Sequence, residues 1–376
     1  MIYLVPRIFK YRATIKFLLK KKKITAAYNF IFAKLFVREE GGALLDPFFR
    51  LFPRLTPYPW CIEVEVTTKC DKKCIICEHT YWSEKSMDLS FDDFKKIVDQ
   101  FPNLIWFNPT GEGSAFLNKD FLRMLRYLKS KSKFIFFNDN FEEVNEDLIR
   151  EIMEIGVDRI EVSMDGASKE TYEKIKAGCD FNKVMNNLRT LLRLKREMNF
   201  PIPEICFHYI ITTFNVHEMP QFVELIHSLG DRNSLGPGSY INFSGLLEFK
   251  EIMDLVAEVP TEIMQTVEKK AKELNIGVMW THHSHQEKPP ITKCVAWSEP
   301  YVLMGGYVVS CCGVLMCNRR PFLRKHSFGN LLQEPFKDIW CSERYRKFRQ
   351  MVPKPKGEIP ILCKGCRVFD TNCRED

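Results

Sequence analysis

Three cysteines within eight residues, Cys70, Cys74 and Cys77, directly follow the stretch Cys61-Ile-Glu-Val-Glu-Val-Thr-Thr. That juxtaposition constrains the fold more than any other feature of the chain. Apolar Ile62, Val64 and Val66 alternate with Glu63 and Glu65, which reads as a short strand with both acids on one face. If that face lines a lumen, Glu63 and Glu65 are candidate substrate or proton-transfer groups. A four-iron cluster takes four thiolates, so three from one loop leave one iron with an open position. Open positions separate catalytic metal sites from closed structural ones. The alternative is one helix face burying three cysteines at i, i+4 and i+7. Against it, Asp71, Lys72 and Lys73 make a poor core segment.

Downstream, strands and helices alternate. Strands are expected at 104–107, 134–137, 159–163, 205–211 and 240–243, with helices near 91–98, 121–128, 145–155, 172–195, 219–229 and 261–274. Ser90 ahead of Asp92 and Asp93 marks the first helix start. This pace of alternation implies an α/β fold with a parallel sheet closed or partly closed into a barrel. Functional groups then collect at the strand C-terminal ends. The cysteine loop, the glycine-rich turn Gly111-Glu112-Gly113-Ser114, Asn138, and Ser163-Met-Asp165-Gly166 follow four successive strands, so they should converge on one face. The glycines let backbone approach a polar ligand closely.

The Cys70-x3-Cys74-x2-Cys77 spacing after a strand resembles the signature of radical S-adenosylmethionine (radical SAM) enzymes. Ile76 stands where that family commonly has an aromatic residue. The resemblance implies a partial (β/α)6 TIM-type barrel, S-adenosylmethionine, and a [4Fe-4S] cluster on Cys70, Cys74 and Cys77. It also implies reductive cleavage of the cofactor to a 5′-deoxyadenosyl radical that abstracts hydrogen from a substrate carbon. The turn Thr110-Gly111-Glu112-Gly113-Ser114 resembles the family's Gly-Gly-Glu-Pro turn, with Thr110 in the first glycine slot and Gly113 in the proline slot. By the same likeness Asn138, Ser163 and Asp165 belong to the cofactor site. Lys176 stands where an arginine usually meets the cofactor carboxylate, a place where lysine keeps the charge but loses the two-pronged geometry. Turn or helix-cap roles are the alternative for these residues, and a solvated helix face for Lys176.

From Cys294 the texture changes to a strand-turn-strand around Gly305-Gly306 ending at Cys311-Cys312, followed by Cys363-x2-Cys366-x6-Cys373. Such pairs clip metals, zinc included. The segment resembles the SPASM/twitch extension of radical SAM enzymes, with Gly329-Asn330-Leu331 and Asp338-Ile339-Trp340. That likeness implies one auxiliary [4Fe-4S] cluster held by Cys294, Cys311 or Cys312, Cys363 and Cys366, with Cys317 and Cys373 as spare ligands. The expected organisation is an N-terminal extension and linker over 1–58, the barrel over 59–285 and the auxiliary module over 286–376.

Of the fourteen cysteines, ten fall in the clusters Cys70/74/77, Cys294/311/312/317 and Cys363/366/373, without a secretory leader, which favours iron or zinc in a reducing cytoplasm over disulfides. A formal charge of +7 is modest for 376 residues and does not by itself argue for nucleic acid. Up to Val37 every charge is positive and interleaved with aromatic and aliphatic residues. Residues 1–40 therefore suit either peripheral contact with the inner membrane face or a helix packed on the barrel. His282, His283 and His285 read as a polar connector, while His208 lies on a strand. The implied partners are an electron donor such as ferredoxin or flavodoxin and a peptide, glycan or lipid substrate. The contrasting function is a non-catalytic iron-sulfur or zinc protein acting in electron transfer or partner binding.

Overall fold

Strand β1 (Cys61–Val64) is hydrogen-bonded along both edges, and the fold grows outward from it in two directions. The computed structural model describes residues 19, 24–31, 58–247, 249–281, 299–317, 319–351 and 360–363. On one side of β1 follow β2 (Trp106–Asn108), β3 (Phe134–Asp139), β4 (Arg159–Ser163), β5 (Glu204–Ile211), β6 (Ile241–Gly245) and β7 (Val278–Thr281), each parallel to its neighbour. On the other side lies β8 (Tyr301–Leu303), also parallel to β1, with Glu63 opposite Tyr301. The antiparallel strands β9 (Tyr307–Val309) and β10 (Gly329–Asn330) complete a ten-stranded sheet.

The six expected strands and their crossovers are present as a partial barrel. Strand β7 extends it beyond the last strand legible in the sequence. The helices begin where polar side chains can satisfy free N–H groups. Ser90 accepts from Asp93 N at the start of α2 (Phe91–Asp99), and Asn145 accepts from Leu148 N at the start of α4 (Glu146–Ile155). Helix α1 (Ile24–Ile31) precedes the sheet, and α3 (Phe121–Ser130) links β2 to β3. Most of the basic N-terminal stretch lies outside the described residues, as do the three connector histidines. No helix among the described residues is long and apolar enough to cross a membrane.

The single helix expected over 172–195 is two, α5 (Lys169–Ile175) and α6 (Phe181–Glu197). Gly178 takes a left-handed φ of 92°, and Asp180 caps the new helix through Asn182 N and Lys183 N. Lys176 therefore sits at a helix end rather than on a solvated face, and only 6 % of it is exposed.

Alternating side chains of the strands send Ile62, Val64, Phe107, Ile135, Phe137, Ile160 and Val162 into the core shared with the surrounding helices. Phe107 is fully buried, with its ring edge-on to Phe94 at 6.1 Å. Replacing it by alanine should cost about 3–5 kcal/mol of unfolding free energy, read by anaerobic denaturant titration. A loss below about 1 kcal/mol would mean that this layer repacks around the void.

Candidate active site

The strand C-terminal ends enclose a cavity of about 350 Å³. Its lining includes Cys70, Cys74 and Cys77 from the loop after β1, residues 110–114 after β2, Asn138 near the end of β3, Ser163 at the end of β4 and Lys176 beyond it. Glu63 of β1 and His208 of β5 also face it, with Tyr301 and Cys312 from the C-terminal segment. The four sequence motifs thus converge on one space, as the strand order requires.

The cysteine loop is pinned from both sides. Lys73 N and Ile75 N donate to the carbonyls of Ala177 and Ile175, at 2.8 and 2.9 Å. Thr80 Oγ1 and Tyr81 OH donate back to the carbonyls of Cys74 and Ile75. Lys72, almost wholly buried, meets Glu142 at 3.2 Å and Glu143 at 2.9 Å, which fastens the loop to the segment after β3. Ile76 fills the slot beside the last cysteine by packing into Ile175, Leu246, Phe249, Ile252 and Leu255. Ser114 N donates to Lys69 O at 2.8 Å, so the glycine turn rides directly on the cysteine loop. A Cβ on Gly113 would lie 2.6 Å from the carbonyl oxygens of Lys69 and Thr67, and one on Gly111 would lie 2.4 Å from Glu65 Cγ. Nothing but glycine fits at either position without moving one strand terminus against the other.

The donor set suits an iron-sulfur cluster better than a single ion. Bonds of about 2.3 Å to a tetrahedral zinc would gather the thiolates to roughly 3.8 Å of one another. Among the described residues the set found within 4.8 Å is Cys77, Glu78 and Glu112, not the three cysteines. A cluster in which each thiolate takes its own iron accepts the wider arrangement. Buried polar atoms without partners lie around the same cavity: Glu78 Oε1, Ser114 Oγ and Asn138 Oδ1. Buried polar groups are normally satisfied, so these are fitted to a polar ligand.

Electrostatics agree. Burial raises the pKa of Cys70 and, more strongly, Cys77, as expected for thiols that titrate fully only on binding metal. Cys74 is drawn down to about 7, first by a hydrogen bond from Cys179 and then, against its own burial, by the Lys176 ammonium. Burial alone would lower the Lys176 pKa, yet Asp165 at 3.1 Å and Cys74 raise it and keep the ammonium charged. Lys176 Nζ also donates to Ser163 Oγ at 2.7 Å. Burial pushes Glu63 up to about 7, with Glu299 and Glu161 adding to the shift and a hydrogen bond from the Cys312 thiol opposing it.

Two of the expected site residues stand behind the wall rather than on it. Asp165 is fully buried, with Oδ1 accepting from Ile210 N at 2.7 Å, and it acts on the cavity through Lys176. Glu65 accepts from Met304 N at 2.6 Å and is ion-paired to Arg320, so of the two strand acids only Glu63 lines the cavity. The vicinal cysteines part company. Cys312 faces the barrel beside Glu63, whereas Cys311 is half-buried against the core. Cys363 is buried in the turn Ile361–Cys363. Cys294, Cys366 and Cys373 lie outside the described residues, as does the Cys317 side chain.

Lys72, Glu78, Cys179 and Arg320 are site or supporting residues that sequence reasoning missed. Adjacency to Cys77 could have flagged Glu78. Cys179 and Arg320 reach the site through tertiary packing that no local pattern announces.

Comparison with known proteins gives two family matches: the radical SAM superfamily over residues 64–226, and the SPASM iron-sulfur cluster-binding domain over 294–367. A tungsten-containing aldehyde ferredoxin oxidoreductase cofactor-modifying protein of Pyrococcus furiosus is 24% identical over 324 residues, covering 82% of this chain and 87% of its own. A PqqA peptide cyclase of Granulibacter bethesdensis is 21% identical, covering 82% and 79%. Among solved structures, Streptococcus suis SuiB bound to S-adenosylmethionine superposes with a TM-score of 0.61 at 11% identity, over 78% of this chain and 68% of that one. The family matches bear out the S-adenosylmethionine and [4Fe-4S] cofactors and an iron-sulfur-binding C-terminal domain, and the superposition bears out the fold.

Two outcomes test this geometry. Gly113→Ala should retain its iron but lose about 100-fold in cofactor cleavage, because a shift of about 1 Å in the turn misplaces the reacting centre. Unchanged turnover would mean that the turn does not set cofactor position. Burial raises Asp139 from the ordinary carboxylate range to about 7. The native state then holds a proton that the unfolded chain releases near pH 4, so stability falls as pH rises from about 4 to about 7. Asp139→Asn still accepts from Phe141 N and should flatten that part of the stability-pH curve; an unaltered curve would show Asp139 ionised in the native protein.

Proposed function

We propose that this chain, a radical SAM enzyme with a C-terminal SPASM domain, takes a hydrogen atom from a carbon of a peptide or protein substrate presented at the open end of the barrel. The observation that carries this reading is the single cavity shared by Cys70, Cys74, Cys77, the Gly111–Ser114 turn, Asn138, Ser163 and Lys176. When bound, the cluster and S-adenosylmethionine supply reductive cleavage and a 5′-deoxyadenosyl radical.

The protein's own residues hold, orient and shield. Cys70, Cys74 and Cys77 would hold the cluster, with an electron donor such as ferredoxin or flavodoxin supplying the electron. Glu78 Oε1, Ser114 Oγ and Asn138 Oδ1 offer buried polar atoms to the cofactor's amino, carboxylate and ribose groups. Lys176, fixed between Asp165 and Ser163, would meet the carboxylate as a point charge. Ile76, Ile175, Leu246 and Phe249 keep water from the loop side of the cavity. Glu63 faces the cavity across from these groups and is placed to take a proton from a substrate. In the C-terminal segment, Cys311 and Cys363 are assigned with Cys294 and Cys366 to one auxiliary cluster, because Cys312 is turned toward the barrel. The division of the chain at about residue 285 follows from this reading, since β7 ends at Thr281 and β8 begins at Tyr301.

A peptide substrate is favoured by two relatives: one is a peptide cyclase by name, and SuiB has been solved with its precursor peptide SuiA. Anaerobic reconstitution tests the function. Roughly eight irons per chain and dithionite-dependent 5′-deoxyadenosine are expected, with the nucleoside abolished by Cys74→Ala. Intact clusters without cleavage would favour the non-catalytic carrier. Deuterium should pass into 5′-deoxyadenosine from a labelled peptide fraction; label arriving only from small sugar-like alcohols or lipid-linked material would replace the peptide reading.

A further inference from the structure

The C-terminal segment contributes a buried cation to the cofactor side of the barrel. Arg320 opens helix α7 (Arg320–Lys325), just after the turn Cys312–Cys317 that carries Cys312 and Cys317. Only 3 % of it is exposed. Its Nη2 is ion-paired to Glu65 Oε2, and its guanidinium lies over the Trp82 ring at 4.7 Å. Both partners belong to the cofactor site's framework. Trp82 packs on His79 at 4.7 Å between ring centroids, and His79 Nε2 donates to Thr68 O at 2.8 Å, so this stack braces the far end of the cysteine loop. Glu65 backs directly onto the glycine turn: its Oε1 faces Glu112 N at 3.4 Å, and its side chain occupies the space a Cβ on Gly111 would need. The same carboxylate accepts from Met304 N in the hairpin turn and faces Tyr301 OH at 3.4 Å.

We propose that Arg320 is a positioning residue through which the auxiliary-cluster segment sets the cofactor pocket, by holding Glu65 behind the Gly111–Glu112 turn and Trp82 beneath the cysteine loop. The inference rests on the radical SAM reading above. Two physical consequences follow. The guanidinium offsets the Glu65 charge, leaving Glu63, Glu78, Glu112 and Asp139 as the acids that line the cavity. The segment that carries auxiliary-cluster thiols also carries this arginine, so ordering that segment orders the cofactor turn. A second anchor, Arg324 Nη1 to Glu84 Oε2 at 2.9 Å, fixes α7 against the chain that leaves the cysteine loop.

The test uses the full chain, reconstituted anaerobically, with three variants and three readouts: iron per chain, S-adenosylmethionine dissociation constant, and the EPR spectrum of the reduced protein with and without S-adenosylmethionine. Arg320→Met should keep the wild-type iron content and cofactor-free spectrum while binding S-adenosylmethionine about 10-fold or more weakly. Arg320→Lys should recover part of that affinity, because the charge returns without the fork. Glu65→Gln, which keeps the shape, should weaken binding in the same direction and carries the test should Arg320→Met not fold. Unchanged affinity and spectral response in Arg320→Met, or in Glu65→Gln in its place, overturns the proposal. Loss of iron with unchanged affinity per remaining cluster also overturns it, since Arg320 would then serve the fold alone. A wild-type chain that takes up no cluster or no S-adenosylmethionine removes the enzymatic reading and this inference together.

Discussion

Pairing of β1 on both of its edges is the constraint from which the rest follows. In an open sheet the first strand of a parallel series would be an unprotected edge; here β8 covers it, with Glu63 opposite Tyr301 and Val64 opposite Val302. That pairing puts the cysteine loop, the glycine turn after β2 and the C-terminal hairpin around one strand terminus. The glycine turn and the hairpin are each tied by hydrogen bonds to the continuation of β1. The contact of Glu65 with Met304 N and of Ser114 N with Lys69 O are the two sides of that junction.

Around the cavity the protein leaves polar groups unsatisfied that it could have buried in pairs. Glu78 Oε1, Ser114 Oγ and Asn138 Oδ1 have no partner, although most buried polar atoms elsewhere do. Such groups destabilise a fold by about 1–3 kcal/mol each unless a ligand engages them. They are tolerated because the scaffold beneath is over-determined: Lys72 holds two glutamates, and a backbone ladder runs from the cysteine loop to residues 175–177. The arrangement is a rigid rim around a polar opening, suited to holding a zwitterionic cofactor in one pose.

Much of this was legible in the sequence because it depends on local order. Strand-then-loop motifs must converge at one end of a parallel sheet, so Cys70, Gly111, Asn138 and Ser163 could be grouped from their positions alone. Residues whose role comes from the opposite end of the chain could not. Asp165 looks like a site residue by its place after β4, yet a neighbouring strand claims it through Ile210 N. Glu65 alternates with Glu63 in perfect register, and only a partner 255 positions away decides that it braces the turn instead of lining the cavity. The break at Lys176–Asp180 was masked by a continuous helical pattern, and it is this break that turns Lys176 inward.

We propose that Cys70, Cys74 and Cys77 hold a cluster in which one iron takes its remaining ligands from S-adenosylmethionine. Electron-nuclear double resonance on the reduced protein, with S-adenosylmethionine labelled with nitrogen-15 at its amino group, tests this directly. Coupling between the label and the cluster's electron spin, lost in Cys74→Ala, is the predicted result. A fully formed cluster that shows no coupling to the label at saturating cofactor would mean that S-adenosylmethionine does not ligate the iron.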